Sequence, residues 1–146
     1  MSAEHVVRDF IEFVRSGKQP ELAINYMAAT VTAHQIISGE AIAIERTPQN
    51  YTDHINEFID CYGTFDLVVE EFIAQQSKVY VRWRQIGVHQ NAILGYPATG
   101  KTLITTDSAV YRVENEKIVE YWIQQESDGL KAQLKRNAEP TPTQQP

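Results

Sequence analysis

Helical and strand spacings take turns along this chain. In residues 5–15, Val7, Phe10, Ile11 and Val14 form one stripe at helical offsets, with Arg8, Asp9, Glu12 and Arg15 largely off it. That spacing predicts an amphipathic helix, and Gly17 is placed to stop it. After Pro20, residues 21–28 predict a second, shorter helix with Leu22 and Tyr26 turned inward. The two read as a helical hairpin that lids the rest of the chain. Residues 30–37, TVTAHQII, are β-branched and short, which predicts a strand carrying His34, whereas residues 41–46 fit neither period. Thr47-Pro48 marks a helix start, a capping hydroxyl followed by proline at the first helical position. Tyr51, Ile55, Phe58, Ile59 and Tyr62 share one face of that helix, and Gly63 ends it.

From there the period is two. Residues 65–74, 78–89 and 102–113 predict three long strands, with a turn at 75–77 and a loop at 91–101 punctuated by Gly95, Pro97 and Gly100. In the second strand Val79, Val81, Trp83, Gln85, Gly87 and His89 point one way and Tyr80, Arg82 and Arg84 the other. A bulge near Gly87 would turn His89 over. Asn115 makes a tight turn into a closing strand, in which Ile118, Glu120, Trp122, Gln124 and Glu126 alternate with Val119, Tyr121, Ile123 and Gln125. The alternation breaks at Ser127-Asp128-Gly129, where Ser127 and Asp128 are good caps for a last helix carrying Leu130 and Leu134. Segregated helices and consecutive strands indicate an α+β fold rather than a doubly wound sheet.

Composition narrows the function classes. The 146 residues suit one domain over residues 1–136, followed by a disordered Pro- and Gln-rich tail over residues 137–146. A formal net charge of −6 argues against nucleic acid as a partner. One cysteine, Cys61, excludes an internal disulfide and any cysteine-based metal cage, and the four histidines show no ligand spacing, so no metal is expected. No apolar run reaches the length of a membrane span, and no signal-peptide pattern opens the chain, so a cytoplasmic location is the default expectation. GYPATGKT, residues 95–102, matches a phosphate-binding loop literally, but the residues after it are strongly β where that motif needs a helix.

The candidate chemistry lies in polar residues on otherwise apolar strands. Strand parity sets Gln85, His89, Trp122, Gln124 and Glu126 on one cavity, with Trp83 on the same side of its strand and Asp107 joining from a third strand. Glu126 stands at a strand-to-helix junction, in step with Trp122. A carboxylate beside apolar rings loses hydration and becomes a better proton acceptor at neutral pH. Such a base, with neutral donors and aromatic walls, suits removal of a proton next to a carbonyl group and stabilisation of the enolate. The competing reading is a set of core polar residues with satisfied hydrogen bonds, and for His34 among Val31, Ala33 and Ile36 that reading has the greater weight.

Several stretches together resemble a known family. They are VVRDFIEFVRSG, NYMAATVTAH ending at His34, RTPQNYTDHINEF, VEEFIAQQSKVYVRW, GVHQNAILGYPATGK, YRVENEKIVEYW and ESDGLKAQL, in order over most of residues 5–134. In this respect the chain resembles the SnoaL-like polyketide cyclases (ester cyclases) of the NTF2-like superfamily. The resemblance implies a cone, a curved antiparallel-rich sheet lidded by N-terminal helices around a hydrophobic pocket. It implies a small hydrophobic carbonyl ligand, enolate formation by an acidic residue and aldol ring closure or isomerisation, with no cofactor. The family's acid, in its W-x-x-x-D pattern, falls on Glu126, with Glu in place of Asp, and His34 and His89 match histidines near the pocket. Trp83, Gln85, Trp122, Gln124 and Asp107 are the accompanying substrate-binding candidates. A homodimer through the outer face of the sheet, involving Tyr80, Arg82 and Arg84, is the expected assembly. A non-catalytic pocket protein that binds a hydrophobic metabolite is the alternative expectation.

Overall fold

The computed structural model describes residues 2–140. Its strands are β1 (Met27–Ile37), β2 (Glu40–Arg46), β3 (Asp66–Gln75), β4 (Lys78–Val88), β5 (Thr102–Glu114) and β6 (Lys117–Gln125). They form one curved, unclosed sheet in the order β2-β1-β6-β5-β4-β3. Every neighbouring pair is antiparallel except β1 with β6, which is parallel. The helices are α1 (Ala3–Asp9), continued by a π-helical turn over Phe10–Arg15, α2 (Ala23–Tyr26), reached through a 3₁₀ turn at Pro20–Leu22, α3 (Pro48–Tyr62) and α4 (Ser127–Ala138). The architecture is α+β, as the order of periodicities requires.

Local chemistry accounts for most boundaries. Thr47 accepts from the Asn50 amide and Asn50 returns the bond to the Thr47 amide, a reciprocal cap that starts α3, with Pro48 at its first position. Asn115 and Glu116 both have positive φ, 49° and 63°, which is the two-residue turn whose twist matches a hairpin between β5 and β6. Residues 41–46, ambiguous by period, form β2 because β1 pairs with them along their whole length. The second predicted helix is cut short. Met27 and Ala28 leave it for β1, where Met27 pairs with Ile118. At the other end α4 takes in Asn137 and Ala138, which the expected tail had included, and residues 141–146 of that tail lie outside the described residues.

The core lies between α1, α3 and the concave face of the sheet. Val6, Val7, Phe10 and Val14 from the first helix meet Tyr51 and Ile55 from α3 over Val79, Val81, Trp83, Tyr111 and Tyr121 of the sheet. Gly87 shows how tightly α3 is seated. A Cβ there would lie 2.6 Å from the Tyr62 carbonyl oxygen and 2.8 Å from its Cβ. No bulge occurs at this point, because Gly87 pairs with Leu103 and Val88 with Thr102 in unbroken register. The glycine is therefore a matter of close approach. Gly87→Ala should cost roughly 1–3 kcal/mol, since backbone cannot move aside cheaply. Urea unfolding of that variant checks it, and an unchanged midpoint would contradict the packing described.

Candidate active site

Helix α3 roofs a hollow on the concave face, which divides into two chambers that share Arg15, Phe58, Asp107 and Gln125 in their walls. The larger, about 300 Å³, reaches Gln85, Glu126 and the first turns of α4. The smaller, about 110 Å³, reaches Arg46, Tyr51, His54 and Tyr121. Bigger depressions exist elsewhere, about 690 Å³ between α2 and the start of α3, and about 380 Å³ between α1 and β3. Neither brings a buried carboxylate together with a buried cation, and the shared hollow does.

Arg15 is the centre of that hollow. It is 4% exposed, although the spacing placed it off the apolar stripe. The cause is the wider winding of the first helix. The amide of Ser16 reaches back to the carbonyl of Ile11, an i→i−5 bond, at 3.1 Å, and this turns position 15 inward. Arg15 Nη1 donates to Gln85 Oε1 at 2.9 Å, and Nη2 lies 3.8 Å from Asp107 Oδ2. The rings of Phe58, Trp83 and Phe65 lie 4.7, 5.2 and 5.8 Å from its guanidinium carbon. Asp107 is buried, and burial raises its pKa; Arg15 pulls it down, and the charge of Glu126 pushes it up again. His54, on the α3 side, is pushed down to about 4 by burial and then by Arg46 and Arg15, so it is neutral at pH 7.

The structure redistributes the residues that strand parity had grouped. Trp83, Gln85 and Asp107 face the hollow. Trp122 and Gln124 do not. β6 carries a bulge at Val119, since Val113 pairs with Ile118 and Arg112 with Glu120. Ile118 points into the core, but beyond the bulge it is Tyr121, Ile123 and Gln125 that point inward, with Gln125 opposite Asp107 and Asp107 opposite Trp83. Trp122 is on the outer face, where it stacks on His34 at 5.1 Å and 9°. There His34 Nε2 meets Glu120 Oε2 at 2.6 Å, and Glu120 also accepts from Arg112 Nε at 2.9 Å. Those bonds, to His34 first, hold the Glu120 carboxyl below its ordinary pKa. His34 is thus a packed, paired residue of the outer face.

His89 is fully buried but lines neither chamber. Its backbone ties the ends of the 90–100 loop, donating to the Lys101 carbonyl and accepting from the Gly100 amide at 2.9 and 3.0 Å. Glu126 lines the larger chamber and is exposed. It is the cap of α4 in place of Ser127 or Asp128, and its Oε2 accepts from the Gly129 amide at 2.5 Å. The Trp122 ring, expected beside it, stacks on His34 on the outer face of the sheet. Arg15, Gln125 and the tyrosines of α3, β5 and β6 are the cavity residues that parity reading missed. For Gln125 and Tyr121 no local signal marks the bulge. For Arg15 the only hint was its place one helical turn after Ile11.

The fold and the hollow can now be compared with known proteins. Residues 4–134 match the SnoaL-like polyketide cyclase family. The chain belongs to that family. Its solved structural relatives share the NTF2-like cone. A candidate polyketide cyclase from Acidithiobacillus ferrooxidans superposes with a TM-score of 0.80 at 20% identity, covering 94% of this chain and 96% of that one. IdmH, a candidate polyketide cyclase from Streptomyces antibioticus, gives 0.76 at 19% identity, covering 92% and 99%. AclR, a candidate hydroxylase from Streptomyces galilaeus, gives 0.76 at 13% identity, covering 92% and 81%. Two different reactions are named on one architecture, so these likenesses establish the fold alone. No curated protein matched the chain.

Membership in the SnoaL-like family supports a cyclase-type function in general and a small-molecule ligand. Among the described residues no group of three or more His, Cys, Asp or Glu side chains is arranged to hold a metal, and no helix is long and apolar enough to cross a membrane. The electrostatics of Asp107 can be checked by carboxyl-detected NMR titration. Asp107 should titrate above the ordinary aspartate value of about 3.9. Arg15→Gln should raise it further and Glu126→Gln should lower it. Because the folded state holds this proton more tightly than the unfolded chain, the Asp107 contribution to stability falls as pH rises through the interval between the two values. A titration at or below the ordinary value would contradict the burial of Asp107.

Proposed function

We propose that this SnoaL-like protein removes a proton from the carbon beside a carbonyl group of a small hydrophobic compound, without a cofactor, and so starts aldol ring closure or isomerisation. Glu126 is the base in this reading. The C–H bond breaks toward its carboxylate, and the electron pair moves to the carbonyl oxygen as an enolate. Asp107, whose proton burial helps to retain against the pull of Arg15, donates to that oxygen in the fraction of molecules that hold it. Arg15 holds Gln85 and balances the charge that passes between the two carboxylates. Trp83 and Phe58 supply apolar wall. The observation that carries the reading is the pair of unlike carboxylates in one chamber, Asp107 buried and Glu126 exposed at the rim. Dimerisation through the outer sheet face, with Tyr80, Arg82 and Arg84, belongs to the same proposal.

The alternative, a binding protein without turnover, draws on one feature. The Glu126 carboxylate is already engaged by its own helix through Oε2, which leaves Oε1 for a substrate. The same feature provides the test. A Cβ on Gly129 would lie 2.2 Å from Glu126 Oε1, so Gly129→Ala must displace that carboxylate while favouring the helix. The assay is deuterium incorporation at the methyl ketone of a 2-acetylnaphthalene, followed by NMR. Glu126→Gln should bring exchange to the buffer rate, and Gly129→Ala should lower it at least tenfold with no loss of thermal stability. Wild-type exchange should decline as pH rises and Asp107 loses its proton, and Asp107→Asn, which stays a donor at every pH, should lower the rate and remove that decline. Exchange by the wild type no faster than buffer, or unaffected by Glu126→Gln, would leave the binding reading.

A further inference from the structure

The smaller chamber has two arginines and one carboxylate in its wall, among otherwise neutral side chains. Arg46 and Trp83, both residues of its wall, carry side-chain N–H groups, Nε and Nε1, that are buried without a hydrogen-bond partner in the protein. Such a donor is costly unless something accepts from it. Arg15 and Arg46 both line this chamber, and Asp107 is the only carboxylate in its wall among the described residues. That carboxylate is the one whose ionisation burial disfavours. The remaining titratable groups do not supply negative charge. His54 is neutral, with Arg46 and Arg15 both acting against its protonation. Tyr51, Tyr111 and Tyr121 are pushed above the ordinary tyrosine range, by burial first, and stay protonated as hydroxyl donors.

A positive, donor-lined chamber inside a protein of net charge −6 is a local exception that needs an occupant. Its volume of about 110 Å³ is that of roughly three to four waters, at about 30 Å³ each. A carboxylate fits that space, and the body of the molecule would continue past Phe58 and Gln125 into the larger chamber. We propose that the smaller chamber is a carboxylate subsite, and that the substrate is a free acid whose carboxylate is held by Arg46, Trp83 and Arg15 while its carbonyl end lies near Glu126. This deepens the function proposed above and rests on it for the position of the reacting carbon; the anion site itself rests only on the chamber.

A matched pair of probes separates the two claims: 6-acetyl-2-naphthoate and its methyl ester, which differ in the carboxylate and share the methyl ketone. Calorimetric titration of the wild-type protein should show the acid binding at least tenfold more tightly than the ester. Arg46→Gln should bring the acid to the level of the ester and leave the ester within twofold. Trp83→Phe, which keeps an aromatic ring and removes the N–H, should weaken the acid about threefold and not the ester. It serves in addition should Arg46→Gln fail to fold. Glu126→Gln should keep the preference for the acid. Equal or tighter binding of the ester by the wild type, or a preference untouched by both Arg46→Gln and Trp83→Phe, overturns the subsite. Deuterium exchange at the methyl ketone is read on the same samples. An acid preference without exchange removes the catalytic reading and keeps the subsite, and exchange without an acid preference does the reverse.

Discussion

Burying one guanidinium shapes the interior of this protein. Taking Arg15 out of water costs several kcal/mol unless its donors are met and its charge is answered. Gln85 meets one donor, the Asp107 carboxyl lies 3.8 Å from another, and three aromatic rings stand around the planar group. None of these partners is close in sequence. They come from β4, β5, α3 and Phe65, just before β3, so the ion is met only when the sheet has curved and α3 has closed over it. The same requirement keeps the concave face from packing solid. An arginine, a carboxylate and two glutamines cannot interdigitate as leucines do, and the space they leave is the two-chambered hollow.

Much of the fold was legible because local and global preferences agree. The reciprocal cap at Thr47, the stripe on α3 and the strict alternation in β4 each point to one answer, and the structure adopts it. The misreadings share a cause. A strand read by parity stays correct only until a bulge, and the extra residue at Val119 moved every later side chain of β6 to the other face. A helix read by an α period stays correct only until the winding changes, and the π turn before Ser16 carried Arg15 inward. Both irregularities depend on pairing and packing with distant segments, which the local spacing does not encode. Both lie on elements that line the hollow.

The outer face makes the contrast clear. His34, Trp122, Glu120 and Arg112 form a stacked and ion-paired ladder that joins β1, β6 and β5. In the linear sequence they resemble an active site, since a histidine, a tryptophan and a carboxylate share strand spacing. In space they hold the parallel pairing of β1 with β6, and none of them lines the hollow. Glu126, the position on which the resemblance sets the family's acid, lies past the end of β6, where the chain has left the sheet and turns into α4. Its side chain is set by the cap to Gly129 rather than by strand parity.

The central claim is that Arg15 is a buried, clamped cation at the junction of the chambers. Nitrogen-detected NMR of the arginine guanidinium groups tests it most directly, with the exposed Arg8 as an internal reference. The account predicts slow solvent exchange and hindered rotation for Arg15 alone of the two, and a shift of its resonances when Asp107 is changed to Asn. Exchange and rotation as fast as those of Arg8 would contradict it.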